Sequence, residues 1–151
     1  MNYQKQWDFL QTKHETEQLA HAYLFSGKGN DIKDFAKQFL QYINCLEKKK
    51  PCLKCSNCLM IGKEAFPDLM VINSKQSESS EKNEKDMMEI EVKQVRDVQN
   101  FLSYKSYYGN VKAVIIEEAE RMTMEAQNCF LKNLEEPKGK TIIFLISSKP
   151  D

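Results

Sequence analysis

Residues 21–44 read HAYLFSGKGNDIKDFAKQFLQYIN, and this stretch decides the fold class. Its first part, residues 22–25 (AYLF), is a short apolar run that stops at Ser26-Gly27. After the glycines Ile32, Phe35, Ala36, Phe39, Leu40 and Ile43 recur at spacings of three and four. That spacing predicts one apolar face of a helix from about residue 31 to residue 44. Strand, glycine turn, helix is the opening unit of an α/β fold.

The same alternation continues outward. Residues 69–72 (LMVI), 111–116 (VKAVII) and 141–146 (TIIFLI) are further strand candidates. Between them Val92, Val95, Val98, Phe101 and Leu102 mark one amphipathic helix. Met124, Gln127, Phe130, Leu131 and Leu134 mark another, capped by Thr123 and ending before Pro137. Short buried runs separated by helical patterns predict βαβ units and a parallel sheet covered on both faces. Residues 73–86 (NSKQSESSEKNEKD) contain nothing apolar and are expected to form a flexible surface loop without a core position. The last strand is followed by no helix to cover it, so a piece of a longer chain is expected.

The glycine turn has the position of a phosphate-binding loop but not its full pattern, G-x-x-x-x-G-K-[ST]. Gly27 and Lys33 hold their places, whereas Ile32 stands at the second glycine and Asp34 at the magnesium-binding hydroxyl. The glycine is required where backbone must approach phosphate closely, and a β-branched residue is the worst replacement. A carboxylate at a helix N-terminus also repels the polyphosphate that would sit there. ATP is therefore not expected to bind or to be hydrolysed. After the third strand candidate, Glu117-Glu118 resembles the paired acids that organise a metal and position water, with Glu where Asp is usual.

Four of the five cysteines crowd together with the spacing Cys45-x6-Cys52-x2-Cys55-x2-Cys58. Four thiolates suit a tetrahedral, closed, structural Zn²⁺ site. An iron–sulfur cluster is the competing reading, weakened because no Cys-Pro follows the triplet. Lys48, Lys49, Lys50, Lys54 and Lys63 surround the cluster as a solvated basic face, and Cys129 reads as a small core residue.

Composition narrows the class further. Of 151 residues 41% are hydrophobic and 29% charged, ordinary values for a globular domain. Lys and Arg total 22 against 22 Asp and Glu, so no net field draws the protein to nucleic acid or membrane. No apolar run approaches the ~20 residues of a membrane span. The N-terminus lacks the apolar region of a signal peptide. One domain with a reducing, cytoplasmic setting is expected.

These residues together resemble bacterial clamp-loader subunits of the AAA+ class. The resemblance rests on residues 21–27 (HAYLFSG), the four-cysteine insertion and residues 66–69 (FPDL). It rests also on Val95-Arg96, residues 115–122 (IIEEAERM) and above all residues 128–137 (NCFLKNLEEP). It implies a P-loop NTPase-like three-layer fold with strand order 5-1-4-3-2 and an inserted zinc-binding loop at about 45–62. Residues 1–151 would then be an N-terminal AAA+ module that stops before the fifth strand and the lid. It implies membership of the DNA polymerase III holoenzyme in the bacterial cytoplasm, with gamma/tau and delta subunits as partners and the sliding clamp and primed DNA as indirect ones. Two branches share the layout. Gamma/tau subunits hydrolyse ATP, whereas delta-prime subunits carry a degraded loop, and Ile32 and Asp34 match the latter. Gly27, Lys33, Glu117 and Glu118 would be remnants, with no catalytic residue. A zinc-bearing nucleic-acid module is a third reading, disfavoured by zero net charge and by the lack of an aromatic–basic stripe.

Overall fold

The computed structural model describes residues 3–27, 30–74, 89–108, 111–135 and 139–148, without the side chains of 133–135. The elements are α1 (Gln4–Glu15), β1 (Ala22–Ser26), α2 (Asn30–Asn44), α3 (Ser56–Gly62), β2 (Leu69–Ile72), α4 (Val92–Ser103), β3 (Lys112–Ile116), α5 (Met124–Glu135) and β4 (Thr141–Ser147). A 3-10 turn, Ala119–Arg121, lies between β3 and α5. All four expected strands form, and they make one parallel sheet of order β1-β4-β3-β2. The order agrees with the last four strands of the expected 5-1-4-3-2.

Every residue of β3 is buried because both sheet faces are covered. The side chains alternate. Ala113, Ile115, Ile142, Phe144 and Ile146 pack under Leu10 of α1, Phe35 and Phe39 of α2 and Ile61 of α3. Val114, Ile116 and Ile143 face the other way, against Val95 and Val98 of α4 and Ala126 and Phe130 of α5. The result is the three-layer α/β architecture anticipated from the run lengths. Thr123 caps α5 as expected, its Oγ1 accepting from Ala126 N at 3.1 Å.

Two expectations need correction. Met124 and Leu131, assigned to the apolar stripe of α5, are exposed, and the stripe is carried by Ala126 and Phe130 with Cys129 packed partly against it. The polar stretch does not begin as surface loop at residue 73. Ser74 is 1% exposed, and its Oγ donates to Glu118 at 3.2 Å. Hydroxyls and amides reach buried positions when a carboxylate accepts from them, which hydropathy does not register. Residues 75–86 of that stretch lie outside the described residues.

Asp68, from the FPDL segment, is a tie at the opposite end of the sheet. Its carboxylate, 1% exposed, accepts from Tyr107 N at 2.6 Å and Tyr108 N at 2.9 Å. The Tyr108 ring then stacks on Phe66 at 5.2 Å. Asp68→Ala would strand two backbone N–H groups and should destabilise the chain by about 3 kcal/mol. Urea unfolding checks this, and a loss below about 1 kcal/mol would show that the tie is dispensable.

Candidate metal centre and phosphate-loop site

The four cysteines are brought to one point. Their Sγ atoms all lie within 4.8 Å of one another, with Cys45 and Cys58 buried and Cys52 and Cys55 partly so. A regular tetrahedron with ~2.3 Å bonds has sulfurs about 3.8 Å apart, so the set fits one metal ion. The backbone is arranged for thiolates. Glu47 N and Cys52 N donate to Cys45 Sγ, both at 3.4 Å. Lys54 N (3.3 Å) and Cys55 N (3.1 Å) donate to Cys52 Sγ, and Cys58 N (3.4 Å) donates to Cys55 Sγ. Leu53 adopts a left-handed φ of 62°, which turns the chain sharply between Cys52 and those donors.

These donors act on the thiols unequally. At Cys55 burial favours the thiol but is outweighed by N–H groups of Leu46 and Cys58 and by the neighbouring thiols, so its pKa falls to about 6. Burial pushes Cys58 up to about 12, and its S–H donates to Gln41 O at 3.8 Å. Cys45 lies below its ordinary value, burial being outweighed by donors from Glu47 and Cys52. A metal entering here displaces the remaining protons.

The phosphate-loop elements converge at the carboxyl ends of β1, β3 and β4, where α/β sheets place ligands. A crevice of about 310 Å³ is lined there by Gly27, Asn30, Lys33, Glu117, Glu118, Glu120, Arg121, Ile146 and Ser148. Gly27 has a φ of 152°, and a Cβ added to it would lie 2.3 Å from Ile32 Cδ1. The space against the glycine is filled by the buried side chain of Ile32. Asp34 is exposed on α2.

Lys33 is already engaged. Its Nζ lies 2.6 Å from Glu64 Oε1 and 3.3 Å from Glu117 Oε2. Burial alone would lower its pKa, but the bond to Glu64 and the charge of Glu117 outweigh burial and raise it. Glu64 is held below the usual carboxylate range by Lys33, with Lys37 Nζ also within 3.6 Å. Glu117 Oε2 further accepts from Asn73 Nδ2 at 3.1 Å. Glu118, at a left-handed φ of 52°, pairs with Arg121 Nε at 2.5 Å. Ser148 Oγ donates to Glu120 at 2.9 Å.

Sequence reading therefore located Gly27, Lys33, Glu117 and Glu118 at one crevice but missed Glu64, Asn73, Ser74 and Glu120. Their pairings join segments distant in sequence and follow no hydrophobic period.

Known proteins show which family shares this sequence and fold. The family model described as DNA polymerase III, delta subunit, matches residues 2–151. The DNA polymerase III subunit delta-prime of Pseudomonas aeruginosa is 33% identical over 136 residues, covering 88% of this chain and 39% of that protein. The delta-prime subunit of Bacillus subtilis is 34% identical over 138 residues, covering 90% and 39%. The subunit tau of Bacillus subtilis is 28% identical over 137 residues, covering 89% and 22%. A gamma subunit-related DNA polymerase III protein from Thermotoga maritima superposes with a TM-score of 0.60 at 24% identity, covering 91% of this chain and 38% of that one. It shares the fold. The chain spans about two-fifths of the length of the delta-prime relatives. With a match running from its second residue to its last, the chain belongs to the DNA polymerase III delta-subunit family.

Proposed function

We propose that the chain is the AAA+ module of a delta-prime-type clamp-loader subunit that acts through contacts with neighbouring subunits and performs no ATP hydrolysis. One observation carries this reading: Ile32 fills the space against Gly27 while Glu64 and Glu117 hold Lys33. A polyphosphate would have to expel a buried side chain, separate Lys33 from Glu64 and Glu117, and sit beside Glu117, Glu118 and Glu120. Like-charge repulsion adds to that cost. A gamma/tau-type ATPase would need this loop open.

The rest of the proposal concerns partners and metal. Gamma/tau and delta subunits are the direct partners, with the sliding clamp and primed DNA engaged through the assembly in the bacterial cytoplasm. Asn128 and Lys132 on α5 are exposed, together with Met124 and Leu131, and offer a mixed polar and apolar face for such contacts. The metal is zinc, one per chain, on Cys45, Cys52, Cys55 and Cys58. An all-sulfur, closed site has no position for substrate water, so the ion's role is structural.

The test is Lys33→Ala in the full-length protein. Clamp loading onto primed DNA should be unchanged in the reconstituted complex, and Mg-ATP titration of the isolated subunit should show no micromolar binding. Loading abolished with assembly intact would overturn the non-catalytic reading.

A further inference from the structure

The cysteine cluster and the Lys33–Glu64 pair lie at opposite ends of α3. Cys55 is the N-cap of α3, and Cys58 lies in its first turn. The helix lies along α2 in the opposite direction. At one end Gln41 Nε2 donates to Cys58 O at 2.8 Å, and Asn57 Nδ2 donates to Asn44 O at 2.9 Å. At the other end Glu64 meets Lys37 and Lys33. Ile61, wholly buried, fastens the middle.

The end of α3 is shaped for this contact. Glu64 N donates to Ile61 O at 3.0 Å and Ala65 N to Met60 O at 2.8 Å. Glu64 itself has a φ of 58°, a left-handed conformation unfavourable for a residue with a Cβ. The turn brings its carboxylate to Lys33 Nζ, the atom that a phosphate loop would offer to phosphate.

We infer that the metal centre works through α3 as a strut that seats Glu64 on Lys33, so metal occupancy and the Lys33–Glu64 pairing are coupled. This rests on the proposed metal site. Glu64 is a positioning residue: its carboxylate stands in for a bound anion, and the cysteine cluster fixes where it stands. Four thiolates on one ion hold the N-terminal end of a helix too short to hold itself. Without the ion, α3 is anchored by Ile61 and a few hydrogen bonds, and the Glu64 contact becomes intermittent.

The experiment is a brief acetylation of the full-length protein with an amine-reactive ester, read residue by residue by mass spectrometry. Lys33 should react slowly in the metal-loaded protein. Glu64→Gln should accelerate it about fivefold, because the ion pair that keeps the Lys33 amine protonated and covered is lost. Chelation of the metal should produce a similar rise in the natural sequence and no further rise in Glu64→Gln. Lys112, buried on β3 and donating to Phe101 O, should stay slow throughout and report an intact core. By reciprocity Glu64→Gln should release metal to a competing chelator about five times more readily. Lys33 unchanged on chelation, additive effects of chelation and Glu64→Gln, unaltered metal retention in Glu64→Gln, or Lys112 accelerating with Lys33 would each overturn the coupling. Protein that carries no metal as isolated would overturn the metal reading and the strut together. Metal-bearing protein with an indifferent Lys33 would overturn the strut alone.

Discussion

Cys58→Ser should strip the chain of its metal and release α3, the largest local effect expected of any single substitution here. Cys58 is 1% exposed, and it joins the cluster to α3 from the first turn of that helix. A serine hydroxyl keeps its proton near neutral pH and is a poor ligand for a soft-leaning divalent ion. Between residues 45 and 62 the buried positions are Cys45, Asn57, Cys58 and Ile61, so little apolar burial is available to replace the ion. Structural zinc sites supply folding energy outright, with apparent values of about 10–16 kcal/mol in small peptides. Part of that is lost to chain ordering, and the remainder should exceed roughly 4 kcal/mol for this segment, about a thousandfold in hydrogen-exchange protection of α3. The sheet and α5 should keep their protection. Elemental analysis of the natural sequence, purified without added metal, should give about one zinc per chain, falling to none in the variant. Iron with visible absorbance, or α3 still protected in the metal-free variant, would falsify this account.

Phe39→Ala should cost about 3–5 kcal/mol across the whole domain. Phe39 is fully buried at the centre of the larger core. Its ring meets Trp7 of α1 edge-on at 5.7 Å, Tyr42 of α2 at 5.8 Å and Phe144 of β4 at 6.3 Å. Truncation opens a cavity where two helices meet the sheet, and these aromatic walls have little room to collapse inward. For a chain of this length the loss corresponds to roughly 10–20 °C in Tm. Phe9 is the control, on the same layer but 54% exposed, with Lys13 above its ring. Phe9→Ala should stay within about 0.5 kcal/mol. Comparable losses for both residues would mean that the core does not lie where the packing places it.

These cases show which features of the chain were legible before folding. The strands were, because a parallel sheet buried on both faces demands unbroken runs such as residues 113–116, and few other contexts do. α2 was legible because six apolar residues, Ile32 to Ile43, keep one face through about three turns. α1 was not: Tyr3, Trp7 and Leu10 occupy its inner face, but Gln, Lys, Thr and His surround them and blur the period. α3 was hidden for another reason. Its position comes from sulfur ligation and from Gln41 and Asn57, interactions that hydropathy counts as polar surface. The crevice was half legible. Gly27, Glu117 and Glu118 sit at predictable strand ends and Lys33 in the first turn of the helix that follows β1, whereas Glu64 and Ser74 arrive from segments distant in sequence. Side-chain pairing across such distances leaves no period to read.

The contact of Ile32 with Gly27 also governs which substitutions are open to this chain. A larger residue at Gly27 meets Ile32 Cδ1 and a φ that side chains rarely adopt. Glycine at position 32 removes a buried branched side chain and empties its volume, at about 2–5 kcal/mol. Even then Lys33 keeps its ion pair with Glu64. Changing Glu64 first gains nothing either, because Ile32 still fills the loop. Each first step at Gly27 or Ile32 thus lowers stability. The two residues lock each other in sequence space as firmly as they pack in the fold.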